Sequence, residues 1–273
     1  MSDENSEILL GKAVAYVDQY TPALLFAIAR KDSRITLGIH DAQLPFHGVD
    51  IWNAYELSWL NNKGKPQVAC AEFYVPCQSP NIIESKSFKL YLNSFNQTKF
   101  TDWSQVQALM VQDLSACAGA AVSVSLLPVS DAGLAPGNVP GECLDALDIE
   151  ITRYSADPKL LRTSSKHIEE QLSSHLLRSL CPVTGQPDWG SLLIHYSGAK
   201  IERAGLLEYI VGYRQHQEFH EQCVERIYCD IMAQCKPRQL SVYARYVRRG
   251  GLDINPFRSS IEQNPRNLRL FRQ

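Results

Sequence analysis

The stretch Val49 to Trp59, VDIWNAYELSW, sets Val49, Ile51, Tyr55, Leu57 and Trp59 on one side of an extended chain, the period-2 pattern of a half-buried strand. The turn formers NNKGKP follow, and Val68 to Val75 is a second strand-like run, so the segment predicts a β-hairpin. The period then changes. Phe88, Tyr91, Leu92 and Phe95 recur at helical spacing, as do Trp103, Val106, Met110, Leu114 and Cys117 behind the capping residues Thr101 and Asp102. Ala121 to Leu127 and Leu147 to Tyr154 read as strands, separated by an exposed Pro/Gly-rich loop, Pro128 to Gly141. The first half is thus predicted as ββααββ.

The second half opens on a helix-like run, Ile168 to Leu180, followed by a strand at Ser191 to Tyr196. Leu206, Leu207, Ile210 and Val211 form one apolar helical stripe and Val224, Ile227, Ile231 and Cys235 another, before a strand at Leu240 to Val247 and the stretch RRGGLDINPFRS. Strand, helix pair and strand recur in the same order in both halves, which predicts a tandem α+β protein of two diverged copies.

With 273 residues, 45% hydrophobic and 21% charged, the composition is that of a globular protein that folds by burial, not of a disulfide-stapled scaffold or a disordered chain. A net charge of -2 gives no global reason to bind nucleic acid or an anionic membrane. The opening MSDENSEILL is acidic where an export signal starts basic, and no apolar run is long enough to span a bilayer; the chain is expected to be cytoplasmic. There its eight cysteines are expected to stay reduced, mostly as small buried hydrophobes. No pair has C-x-x-C spacing and no His/Cys set has familiar zinc spacing, so no metal is expected.

Four stretches are richer in polar chemistry than a core requires. In IESKSFKLYLNSF, Ser85 is placed to cap a helix, with Glu84 just before it and Lys86 just after; this is either a plain capped helix or a carboxylate, a hydroxyl and a cation gathered at a helix start. In SLCPVTGQPDWG, Cys181 lies between a predicted helix end and a Pro/Gly turn, and Asp188 follows in the same loop. That pair is either an inert thiol and a turn-closing Asp, or a nucleophile and an acid. In QEFHEQCVERIYCDI, His220 and Glu221 fall at a helix start, where a carboxylate is favoured in its ionised form. It can then accept the adjacent N–H donors of a guanine-like ring, or simply cap the helix. In VRRGGLDINPFRS, Arg248, Arg249 and Arg258 surround Gly250 and Gly251, a set suited to phosphate and equally to an exposed basic turn.

Together ESKSFKLYLNSF, LPFHGVDIW, YELSWLN, CPVTGQPDWG, FHEQCVERI and SVYARYVRRGGLDINPFRS resemble the QueF nitrile reductases, the NADPH-dependent 7-cyano-7-deazaguanine reductases of queuosine biosynthesis, in their longer, tandem-module form. The resemblance implies tandem tunnelling-fold (T-fold) modules, antiparallel sheets with paired helices on one face, here residues 1–142 and 143–273. It implies Cys181 as nucleophile, Asp188 as proton donor and His220 as an aid to proton delivery. Substrate contacts would come from Ile83, Glu84, Ser85, His220 and Glu221, and NADPH contacts from Ser85, Lys86, Arg249 and Gly250. It further implies NADPH as co-substrate, no metal, a homodimer, and no direct contact with nucleic acid or membrane. Burial beside Trp189 would raise the pKa of Asp188 enough for it to act as an acid. Residue types alone leave two other readings open: a Cys181/His220/Asp188 hydrolase, and a non-catalytic purine-binding module.

Overall fold

The computed structural model describes residues 16–40, 43–131, 133 and 135–273; the acidic opening segment lies outside the described residues. In chain order the elements are β1 (Ala27–Ala29), α1 (Lys31–Thr36), β2 (His47–Leu60), β3 (Pro66–Pro76), β4 (Asn81–Ile83), α2 (Ser85–Asn93), α3 (Trp103–Ala118), β5 (Ser123–Leu127), β6 (Glu142–Cys143), β7 (Thr163–Leu180), β8 (Pro187–Ile201), α4 (Arg203–Val211), α5 (His220–Cys235), β9 (Gln239–Tyr246) and β10 (Leu252–Ser259). This is the expected α+β mixture. The ladders β1–β4, β3–β5, β7–β8, β8–β9 and β9–β10 are antiparallel, while the two-residue pairing of β6 with β7 is parallel. No helix among the described residues is long and apolar enough to cross a membrane.

Packing groups the chain into two compact units. The first holds the residues up to Asp32, Trp52–Leu134 and Arg249–Leu252; the second holds Ser33–Ile51, Ala135–Arg248 and Asp253–Gln273.

In the first unit the predicted hairpin forms, with strand order β5-β3-β2. The Asn61 side chain closes its turn by accepting from the N–H groups of Lys63 and Lys65 at 2.9 and 3.0 Å. Burial follows the expected alternation at Leu57 and Trp59, but Trp52 and Ala54 are buried as well. Both faces of β2 are therefore covered there, and Trp52 meets Phe88 of α2 at 5.2 Å between ring centroids. Phe88 also packs on Phe73, and Trp103 of α3 on Trp59. Such aromatic burial contributes about 1.5–3 kcal/mol per side chain. Asp102 caps α3 by accepting from the N–H of Gln105 at 2.9 Å. Gly119 ends it at φ 71, a left-handed conformation that glycine adopts without penalty.

The second unit sets the opening residues of β2 beside β10, then β9, β8, β7 and β6. Along β8, Leu192, Ile194 and Tyr196 are buried, and they pair with Ala244, Val242 and Leu240 of β9. This face carries α5 and its apolar stripe Val224, Ile227 and Ile231. Two expectations fail here. Ile168 to Leu180 is not a helix but most of strand β7. Its register shifts between Ser174 and Leu177, so buried Leu172 and Leu177 sit five apart. A bulge that breaks the period of two mimics helical spacing. Leu147 to Tyr154 forms no strand: its alternation is real but has no ladder partner, and Ile149 and Ile151 are only half-buried. With β7 restored, β7, β8, α4, α5, β9 and β10 run ββααββ, and β2, β3, α2, α3 and β5 follow the same order in the first half with the short strand β4 set between β3 and α2.

Candidate active site

The pleat of β8 explains why a charged residue is buried in the second unit. Asp188, Gly190, Leu192, Ile194 and Tyr196 alternate along one face, so Asp188 lies on the helix-covered side and is 5% exposed. Trp189 points to the other face and is 39% exposed, stacked by the guanidinium groups of Arg178 and Arg214 at 5.4 and 5.6 Å. The expectation that Trp189 buries Asp188 is therefore wrong in its cause: neighbouring residues of a strand face opposite ways, and the burial comes from the side of α5.

The loop joining β7 to β8 presents the thiol. Ser179 pairs with Asp188 and Leu180 with Pro187. One step further, the N–H of Cys181 donates to the carbonyl of Gln186 at 2.9 Å, and the Cys181 carbonyl accepts from Gly185 at 3.0 Å. Gly185 sits at φ 67, which closes the turn without strain. Cys181 is thus fixed at a hairpin end and is 8% exposed, with Asp188 on the adjoining strand.

Helix α5 completes the cluster. The Gln222 side chain accepts from the N–H of Phe219 at 3.2 Å and tightens the helix start, so His220 and Glu221 occupy its first turn as expected. Glu221 is buried. His220 places Nε2 3.3 Å from Oδ2 of Asp188, and its ring lies flat on Tyr246 of β9, with centroids 3.8 Å apart and planes 6° apart. Its Nδ1 is buried with no hydrogen-bond partner among the described residues. Chemically, a buried carboxyl paired with an imidazole can hold and pass a proton.

In the first unit the cap assignment changes by one residue. Glu84, not Ser85, is the N-cap of α2: its carboxylate accepts from the N–H groups of Lys86 and Ser87 at 2.9 and 2.7 Å, and Ser85 is the first helical residue. A carboxylate reaches two orphan amides at once where a shorter hydroxyl reaches one. Glu84 and Ile83, the last residue of β4, are both buried, and each Glu84 oxygen keeps a further lone pair for a ligand. Arg249 closes a turn by donating its N–H to the carbonyl of Leu252 at 3.0 Å, around Gly250 and Gly251 at φ 59 and 72. A Cβ built on Gly250 would lie 3.4 Å from Cδ of Lys89. The structure thus brings the glycine turn to α2, where Lys86 and Lys89, three apart, share a face.

Arg258, offered with this turn as an anion contact, belongs elsewhere. It is buried in the second unit and ion-paired to Asp50 and Glu225 at 2.7 and 2.8 Å. Sequence reasoning missed Lys89, whose i,i+3 spacing from Lys86 was the available signal. It also missed Tyr246, which only cross-strand register reveals.

Among the described residues, two sets of cysteine, histidine and carboxylate, Cys143/Asp145/His175 and His216/Glu218/Cys223, lie close enough to be read as cation ligands. In the second, Glu218 is already bound by Arg226 and His216, and burial, then the charge of Glu218, holds the Cys223 thiol well above its ordinary pKa, which disfavours the thiolate a metal needs.

Residues 16–126 match the family model described as nitrile reductase, 7-cyano-7-deazaguanine-reductase N-term, and residues 187–265 match that of QueF-like protein. A protein of Burkholderia orbicola named NADPH-dependent 7-cyano-7-deazaguanine reductase is 57% identical over 279 residues, covering 100% of both chains. Proteins of the same name from Dechloromonas aromatica and Azoarcus sp. are each 56% identical, the first covering 100% of this chain and 98% of its own, the second 92% and 90%. The crystal structure of an apo archaeosine synthase QueF-Like shares 16% identity with TM-score 0.32, covering 37% of this chain and 99% of that one. With more than half of its residues identical to such reductases along nearly its whole length, the chain belongs to the QueF family of NADPH-dependent 7-cyano-7-deazaguanine reductases.

Proposed function

We propose that the chain reduces the nitrile of 7-cyano-7-deazaguanine to the aminomethyl group, consuming two NADPH through a covalent thioimide on Cys181, as a step of queuosine biosynthesis. The observation that carries this reading is the buried Asp188–His220 pair on the strand and helix next to the hairpin end that fixes Cys181.

A nitrile carbon is electrophilic but slow toward hydride, so nucleophilic addition comes first. The Cys181 sulfur bonds to the carbon, the π bond opens, and Asp188 gives a proton to nitrogen; the thioimide forms with no change in total electrons. NADPH supplies the hydride for each of two reductions. After the first, the C–S bond breaks, Cys181 leaves as thiolate, and an imine remains; after the second, the imine is the amine. One proton is consumed when the Cys181 thiolate adds and one when the imine is reduced, and His220 is proposed to return each to Asp188.

Ser85, Lys86, Arg249 and Gly250 are proposed as NADPH contacts. The turn at Gly250 and Gly251 lies beside α2, where Lys86 and Lys89 add positive charge, and this fits the phosphates of a dinucleotide. Ile83, Glu84 and Ser85 are proposed as deazaguanine contacts on the motif they match, as are His220 and Glu221. Carboxylate oxygens, which accept two N–H donors side by side, suit the N–H edge of that ring. No metal is assigned a role, and a homodimer is proposed from the family resemblance.

The test is NADPH oxidation with the nitrile limiting, beside Cys181→Ala. Two NADPH per nitrile and an inactive variant are expected. A wild type that binds the nitrile tightly but oxidises no NADPH would leave a purine-binding module and sink the reductase.

A further inference from the structure

We propose that Tyr246 is a positioning residue of the reduction: its ring clamps the imidazole of His220 so that Nε2 stays on Asp188 and Nδ1 is left as the nitrogen that exchanges protons. The proposal rests on the reductase reading above.

The ring planes are 6° apart at 3.8 Å, a full face contact in place of the edge-on or offset arrangements that aromatic pairs prefer. Tyr246 has little freedom to move from this pose. It pairs with Gly190 across the β8–β9 ladder, and a Cβ on Gly190 would come within 3.2 Å of Cδ1 and Cε1 of the tyrosine. Glycine is thus the floor on which the ring lies, and His220 covers it from α5. The phenol end is buried among Ser179 and Cys223.

Fixing the plane of an imidazole leaves it one useful rotation, and that rotation is taken up by the contact of Nε2 with Asp188 at 3.3 Å. In the neutral ring Nε2 then carries the hydrogen and donates it to the carboxylate. Nδ1, buried and without a partner among the described residues, holds the lone pair. A proton taken at Nδ1 makes an imidazolium, which can release the Nε2 proton to Asp188. The ring thereby delivers one proton to Asp188 for each one it gains and keeps its charge, while its own hydrogen moves from Nε2 to Nδ1 and must exchange back before the next transfer.

The test compares Tyr246→Leu, Tyr246→Phe and Gly190→Ala with the wild type, by nitrogen-15 NMR of the histidines and by steady-state kinetics. In the wild type the His220 signals should report a single tautomer with hydrogen on Nε2. Tyr246→Leu should let the tautomers average and lower kcat by about 10- to 100-fold, with KM for the nitrile nearly unchanged. Tyr246→Phe keeps the stacked ring and should bring kcat back to within about threefold of wild type. Gly190→Ala crowds the ring from beneath, leaves Tyr246 in place, and should shift signal and kcat in the direction of Tyr246→Leu. An unchanged His220 signal in Tyr246→Leu and Gly190→Ala overturns the clamp, and so does a changed signal with unchanged kcat. A wild type that shows the fixed tautomer but never reduces the nitrile refutes the reductase reading and leaves the clamp standing.

Discussion

Whether a thiol is a nucleophile or a core atom is decided by what surrounds it, and the eight cysteines here range from buried to exposed. Cys70, Cys77 and Cys223 are buried. Burial pushes the thiols of Cys117 and Cys235 up to about 11, and burial with the charges of Glu225 and Asp230 pushes Cys229 up to about 12. At neutral pH those three carry almost no thiolate, the form that reacts. Cys143 alone among the eight is exposed, on the short strand β6, and Cys181 is the one held at a hairpin end. Brief iodoacetamide treatment near pH 7.5, followed by peptide mass spectrometry, should therefore modify Cys143 first and Cys181 next. Cys143→Ser should keep full NADPH oxidation, and in that variant loss of activity should track alkylation of Cys181. Alkylation at Cys117, Cys229 or Cys235 that kept pace with Cys181 would contradict the assignment.

At the scale of elements, the chain entering α5 is tied down by Glu218. It accepts from Nε of Arg226 at 3.1 and 3.2 Å and pairs with Nε2 of His216 at 2.9 Å. Burial by itself would raise its pKa, but hydrogen bonds from His216 and Arg226 outweigh burial, and the net direction is downward from 4.5. A carboxylate lowered on folding contributes stability that is complete above its unfolded value and is lost as pH falls through the folded one. Glu218→Gln should thus cost about 1–3 kcal/mol at pH 7, seen as a lower urea midpoint. Below pH 4.5 the variant should lose stability less steeply than wild type, because the titrating group is gone. Equal slopes would mean that Glu218 does not anchor α5. The start of α5 was legible in the sequence because a capped amphipathic helix is a local pattern, and the same holds for α2 and α3. Strand β7 was not, because a bulge is a property of the pairing with β8 and leaves in one strand only a shifted period. The candidate site divides in the same way. Glu84, Cys181, Asp188, His220 and Glu221 stand at element ends that punctuation residues reveal, whereas Tyr246 and Lys89 acquire meaning only from cross-strand register and from the turn at Gly250.

At the scale of the molecule, residues 33–51 precede most of the first unit in sequence yet pack with the second, and a buried charge network accounts for it. Glu225 of α5 accepts from Nε and Nη2 of Arg34 at 3.1 and 2.8 Å and from Nε and Nη2 of Arg258 at 3.1 and 2.8 Å; Arg258 also donates to Asp50 at 2.7 Å. All four side chains are at most 3% exposed, and both guanidinium groups lie over the ring of Phe46. Two cations and two anions cancel, and the network links α1 and the start of β2 to α5 and β10. Bringing ions out of water is costly, so the pairing is stable only while it is complete. Glu225→Gln removes the carboxylate that both arginines share and leaves the four positions with one excess positive charge. It should cost about 3–5 kcal/mol, a fall of roughly 10 °C in Tm at the ~2–4 °C per kcal/mol of a chain this size. Loosening should be local as well as global. Hydrogen exchange should speed up first at Arg34 and Phe46, and the hairpin of β2 and β3 should keep its protection. A variant with wild-type Tm and wild-type exchange at Arg34 and Phe46 would show that hydrophobic packing, with no help from these charges, places this segment in the second unit.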